Sequence, residues 1–463
     1  MIVENIIKKY ARLSVDNKQL FNNIMGSYIV KGSSIIVMLL TMPAYMRYFS
    51  NHEVLGLWFT LLSILTWILT FDLGIGNGLR NNLVKALVEN NYIKAKKYIS
   101  SAYGIIGIVS LVILCIGNIF IGLSNWNIIL NIPESTISND VLVTTMRLMF
   151  TGIVMQFFLK LIASILNALQ KTALTNFLTL LSSILILIFV LLFNGDDISN
   201  NLISLATVNI LTVNIPLLIA TIVIFSTVLK DARPNLKYYQ KEYALEVVKL
   251  GGAFFGVQIS FMVISSTNEI LITWLYGTEY VVEYQVYQRL FYLFVTIFSL
   301  ITNPIWSAIT KAYAEEKFAW ILKTYKLLNV FAFVCSIGSL TLVLFMQKIV
   351  NVWLGDRAIT VNYTTSIAFA VIVIVMLYII SVTCVANGIG ELKSQLFFNT
   401  LAAVAKFPFA FILANYLDNW VSIIIVNIII MIPAVFGQPF IIIKLLRRRI
   451  ESAEEKNSIV HSG

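Results

Sequence analysis

Histidine and cysteine are nearly absent from this chain, with two of the first and three of the second in 463 residues. His52 lies near a loop and His461 in the tail, so a metal centre or a histidine-based catalytic site has almost nothing to be built from. No cofactor is expected either. Cys115, Cys335 and Cys384 are odd in number, scattered and set in apolar stretches, which argues against a disulfide framework. Charge is also scarce: Asp, Glu, Lys and Arg make up 12% of the residues, roughly half the share found in soluble domains. In its place stands apolar character, 59% of residues, with a mean hydropathy of +0.86. The polar start, Met1 to Asn23, lacks the basic-then-apolar pattern of a cleavable signal peptide, so the first apolar segment is expected to stay as a helix.

Apolar runs of spanning length recur along the whole chain. Hydropathy predicts twelve spans, near 24–46, 54–78, 99–122, 141–166, 173–193 and 202–228, then 250–275, 281–306, 321–346, 361–386, 394–415 and 420–443. Their connections leave no room for a soluble domain. The fold class is therefore an all-α integral membrane protein. Lys and Arg fix its orientation: 25 fall on the side of the termini, and only Arg47, Lys348 and Arg357 on the other. The positive-inside rule places both termini in the cytoplasm. The net charge of +10 follows from this asymmetry and implies contact with anionic membrane lipids, not nucleic acid.

A basic stretch, 230–249, divides the spans into two sets of six: an N-terminal lobe, 1–229, and a C-terminal lobe, 250–446, followed by a cytoplasmic tail, 447–463. The exits of the second and eighth spans echo each other, Val84-Lys-Ala-Leu-Val-Glu89 against Thr310-Lys-Ala-Tyr-Ala-Glu315. Parallel repeats of that kind are common in transporters.

Charges at membrane depth are costly and mark function by default. Five are basic: Lys31, Arg147, Lys160, Arg289 and Lys406. Two are acidic, Asp72 and Glu269. A mostly cationic interior points to an anionic cargo. Snorkelling toward headgroups is the competing reading for Lys31 and Lys160, which lie nearest the cytoplasmic surface. Spacing puts Gln258, Ser265 and Glu269 on one face of a single helix, Gln156 with Lys160 on another, and Gln285 with Arg289 on a third, with Gln288 alongside. The amides are candidates for a polar cavity lining, and Glu269 for coupling or gating by binding a proton, or simply for a hydrogen bond between the lobes. The stretch Asp72-Leu-Gly-Ile-Gly-Asn-Gly-Leu-Arg-Asn81 sets three glycines at alternate positions. Such glycines permit close helix approach, a local break or a hinge. Asp72 and Arg80 there are candidates for gating or coupling, or for simple pairing at a tight helix exit.

Val54-Leu-Gly-Leu-Trp58, the glycine stretch 72–81 and the basic Lys94 to Lys97 together resemble the Wzx-type O-antigen and polysaccharide flippases. These belong to the multidrug/oligosaccharidyl-lipid/polysaccharide exporter superfamily. The resemblance is sharpest over 20–105 and mostly architectural elsewhere. It implies a MATE-like fold of two six-helix lobes set as a V, in a bacterial inner membrane. It implies a non-enzymatic transporter that flips an undecaprenyl-diphosphate-linked oligosaccharide outward by alternating access, coupled to H+ or Na+. Other polysaccharide-assembly proteins are the expected partners. Arginine and lysine suit a diphosphate, and the five buried cations are the expected contacts. An exporter of drugs or of a peptidoglycan precursor would share the fold. A polymerase, ligase or glycosyltransferase of polysaccharide assembly is a further alternative, and the short outer loops argue against it.

Overall fold

Lipid offers no partner to backbone N–H and C=O groups, so spanning segments must satisfy their own. The computed structural model describes residues 15–70, 74–169, 171–193, 195 and 197–462, and among these it is helical with no strand. Eleven helices among the described residues are long and apolar enough to cross a membrane. They match every expected span but 281–306, which lies on a helix of 36 residues, Glu279–Ala314. This is a multi-pass membrane protein.

In chain order the helices are α1 (Val15–Tyr48), α2 (His52–Thr66), α3 (Ile75–Val88), α4 (Tyr92–Leu123), the short α5 (Trp126–Ile129), α6 (Asn139–Leu159), α7 (Leu161–Ala168), α8 (Thr172–Leu192) and α9 (Ile198–Ser226). There follow α10 (Lys241–Ser265), α11 (Asn268–Leu275), α12 (Glu279–Ala314), α13 (Phe318–Leu354), α14 (Tyr363–Ile389), α15 (Lys393–Ala414) and α16 (Val421–Ser462). Two compact units result. The first comprises Met1–Ser50, Leu65–Ile129 and Pro133–Phe255; the second comprises Asn51–Ile64, Leu130–Ile132 and Gly256–Gly463. Compactness thus groups the chain differently from span order, since most of α2 sorts with the second unit.

In the first unit α1 packs along α8, and α6 along α9. Ile99, Ile162, Ile165, Leu166 and Val247 form part of its dry core. The glycine stretch is a break. The second span ends in a 3-10 turn, Trp67–Thr70, and α3 starts again after Gly74 in the left-handed region, φ 69°. Gly78 serves a close approach: a Cβ there would run into the carbonyl of Val247 on α10. Arg80 is exposed on α3, and Asp72 lies outside the described residues.

The basic stretch 230–249, expected as a linker, is docked and in part helical. It carries a 3-10 turn, Leu236–Tyr238, and α10 begins at Lys241. The backbone N–H groups of Asn235 and Gln240 donate to the hydroxyls of Ser100 and Ser101 at 3.0 and 3.1 Å. Lys96 lies over the Tyr238 ring, and Lys97 over that of Tyr243.

The sequence echo is a structural one. At the end of α3, Asn90 takes φ 51°, Asn90 N–H donates to Leu87 O, and Asn91 N–H to Ala86 O. At the end of α12, Glu316 takes φ 56°, Glu316 N–H donates to Tyr313 O, and Lys317 N–H to Ala312 O. This is one Schellman-type cap in the same register. The exits of α7 and α14 also match, with Lys171 N–H to Leu166 O and Glu391 N–H to Ala386 O, both 2.8 Å.

In the second unit α12 and α13 pack on α14, and α15 on α16. The rings of Tyr284, Tyr287 and Trp420 gather around Phe369, the Tyr287–Phe369 pair stacking at 5.4 Å. Gly56 on α2 lies against the backbone of Thr278, where a Cβ would strike the carbonyl.

Overpacking a close approach typically costs about 1–3 kcal/mol. Gly78→Ala is therefore expected to lower the thermal unfolding midpoint in detergent, while an exposed neighbour, Asn81→Ala, leaves it unchanged. Equal midpoints for both variants would remove the requirement for glycine at 78.

Candidate functional site

The seventh span does not run as one helix. α10 stops at Ser265 and α11 starts at Asn268, with Thr267 at φ −109° and ψ 4° between them. The expected single polar face of Gln258, Ser265 and Glu269 is therefore interrupted, and Glu269 sits in the first turn of the second segment. A break in the middle of a span leaves carbonyls at one end and N–H groups at the other, carrying about half a unit charge of each sign.

Charged side chains fit both ends. Lys406 on α15 is completely buried, at 0% exposure. Its ammonium donates to the carbonyl of Ile264, at the C-terminal end of α10, and to Oδ1 of Asn268 at 2.7 Å. Glu269, also buried, lies at the N-terminal end of α11, where negative charge is favoured. Its carboxylate accepts from Gln285 Nε2 and from the Ser63 hydroxyl, each at 3.0 Å. Through Asn268 the ammonium is held beside Glu269 in the chain, with no direct ion pair between the two. The network extends further. Asn427 Nδ2 donates to Asn268 Oδ1 at 2.9 Å, while Asn268 Nδ2 and Gln288 Nε2 donate to the Tyr284 hydroxyl at 2.9 and 2.7 Å. All these residues belong to the second unit.

Ser63 gives this arrangement two states. Its one hydroxyl hydrogen has two acceptors in reach, Glu269 at 3.0 Å and the Ser266 carbonyl at 2.9 Å. An ionised Glu269 takes that hydrogen. A protonated Glu269 can donate to the Ser63 oxygen while the Ser63 hydrogen turns to Ser266, so no polar atom of the three is stranded. The site can thus hold or release a proton without breaking its frame.

The structure gathers Glu269, Lys406, Gln285 and Gln288, and leaves Gln258, half-buried on α10, outside the network. Lys406, expected to contact a headgroup, is turned wholly into the helix break. Arg289 is half-buried, its guanidinium 5.5 Å from the centre of the Phe59 ring. In the first unit Arg147 is exposed on α6, lying against Gly122, and Lys160 is exposed where α6 gives way to α7. Lys31 is half-exposed on α1, and Gln156 half-buried on α6. Among the described residues no carboxylate pairs with Lys31, Arg147 or Lys160.

Sequence reasoning missed Ser63, Asn427 and the bridging role of Asn268. Asn427 carries a readable signal, a lone amide in Val421-Ser-Ile-Ile-Ile-Val-Asn-Ile-Ile-Ile430. Ser63 carries none, since serine within a span normally bonds its own helix. Removing one member of a buried charge pair typically costs about 3–5 kcal/mol, whereas removing both is often neutral. Lys406→Met is expected to destabilise the protein strongly in thermal melts, and Lys406→Met/Glu269→Gln to recover much of the loss. A double variant no better than the single would show that the two charges do not support each other.

The sequence matches no protein-family model and no curated protein, but the fold has clear relatives among solved structures. An inward-facing multidrug resistance MATE family transporter of the MOP superfamily superimposes with a TM-score of 0.72 at 15% identity, covering 91% of this chain and 99% of its own. A MATE transporter in complex with MaL6 gives 0.64 at 16% identity, over 93% and 99% of the two chains. A MOP superfamily transporter from Pyrococcus furiosus, described by a reversed polarity of its binding pocket that suggests a different function, gives 0.64 at 15%, over 92% and 96%. The chain has the fold of the MATE transporters of the MOP superfamily.

Proposed function

We propose that this protein is a flippase that carries a diphosphate-linked oligosaccharide lipid across a bacterial inner membrane, with both termini in the cytoplasm and proton movement coupled through Glu269. The observation that carries the reading is the unpaired cationic set of the first unit. Lys31, Arg147 and Lys160 lie within candidate spans and have no carboxylate partner among the described residues. Uncompensated charge in a membrane helix is retained for a ligand or a wet path, and guanidinium and ammonium groups match phosphate oxygens. Arg289 is the corresponding candidate of the second unit. Lys406 supports the site from behind, by holding the broken helix, and Asp72 and Arg80 remain candidates for gating. The lobes of this reading are 1–229 and 250–446. The Pyrococcus furiosus transporter, whose reversed pocket polarity suggests a different function, supports a fold that is not tied to one pocket polarity.

Export of a cationic drug is the second reading, favoured by the multidrug transporters among the similar structures. Such a cargo calls for acids where this chain has bases. The two readings separate in proteoliposomes, by enzymatic accessibility of a labelled lipid-linked oligosaccharide and by efflux of a cationic dye. Oligosaccharide movement without dye movement is expected, and the reverse would overturn the proposal. A charged hydrogen bond contributes about 1.5–3 kcal/mol, so Arg147→Ala and Lys160→Ala are each expected to slow flipping about tenfold or more. Normal protein levels and a partial return in Arg147→Lys are expected with them. Glu269→Gln is expected to leave flipping unresponsive to an imposed pH gradient. A full response in that variant would move the coupling elsewhere.

A further inference from the structure

A cavity of about 730 Å³ opens in the second unit, away from the helix break. It lies among three connections on one side of the membrane: α11 to α12, α13 to α14, and α15 to α16. By the distribution of Lys and Arg, that is the side opposite the termini. Its volume is in the range of small-molecule sites, and its lining is polar in an ordered way.

Two asparagines use their oxygens on the backbone and keep their amide hydrogens. Asn362 Oδ1 caps α14 by accepting from Thr364 and Thr365, and Asn419 Oδ1 accepts from Val421 N–H. Two carboxylates do the opposite and offer acceptors. Glu283 commits one oxygen to the indole N–H of Trp420 at 3.0 Å, and Asp418 makes no hydrogen bond among the described residues. Tyr280, 40% exposed, adds an aromatic surface. An anion would meet the two carboxylates, and a bare cation would satisfy those but leave the two amide N–H2 groups without an acceptor. A ligand that donates and accepts at neighbouring positions satisfies both sets, and a hydroxyl does that from one atom. Adjacent hydroxyls on a ring with an apolar face are a sugar.

We infer that this cavity is a binding site for a neutral sugar. Its use as a landing place for the glycan of a lipid-linked cargo rests on the flippase reading above; the binding itself does not. The glycan would gain hydrogen bonds on the far side while its diphosphate is still held at spanning depth.

The test is saturation-transfer NMR on the purified full-length protein, with glucose, galactose, N-acetylglucosamine and their disaccharides as probes. Saturable binding in the millimolar range is expected for at least one of them. Thr360→Trp fills the cavity from an exposed position and is expected to weaken binding about tenfold or more. Asp418→Ala, at an exposed loop residue, is expected to do the same and decides the matter if the first variant does not fold. No binding of any probe overturns the inference, as does binding that neither variant changes or that tetramethylammonium displaces. Sugar binding in a protein that moves only a cationic dye would sink the flippase reading and leave this site standing. Flipping without sugar binding would do the reverse.

Discussion

A helix broken inside a bilayer has no water to repair it, so every exposed backbone group must find a partner within the protein. That constraint organises the second unit. Lys406 and Asn268 close the break at 265–268, and Asn268 ties it to Tyr284 on α12 and Asn427 on α16. Tyr284 in turn packs edge-on against Trp420, and Trp420 holds Glu283. One chain of contacts therefore runs from the buried ammonium to the polar cavity. A side chain at mid-span and a loop at the surface are parts of one frame.

The first unit handles its charge differently. Lys31, Arg147 and Lys160 have no carboxylate partner among the described residues, and the unit's close packing comes from small residues and from a basic stretch docked on Ser100 and Ser101. The first unit thus carries Lys31, Arg147 and Lys160 without carboxylate partners among the described residues, the second a buried acid and base set at the two ends of a helix break.

Much of the fold was legible because lipid makes hydropathy an almost sufficient guide. Helix positions followed from it, as did the same-register exits at 84–89 and 310–315, whose likeness is visible in the letters. The glycine stretch announced a break or a close approach, and the structure contains both. The break at 265–268 was less legible: Ser265-Ser-Thr-Asn268 holds no glycine or proline, and helical spacing carried the eye straight through it. Lys406 had the right depth but its engagement could not be read, because its partners lie about 140 positions away. Ser63 was invisible for the same reason. Pairings across long stretches of chain are made by packing, and one sequence does not record them.

The oxygens at the helix break, a backbone carbonyl and an amide, are the kind that coordinate an alkali ion. Here they are filled by a cation that is covalently part of the chain. A tethered ion has no bulk concentration, so changing the surrounding salt does not titrate its occupancy, and no entry or release step belongs to it. The second unit thereby carries its own basic group beside Glu269.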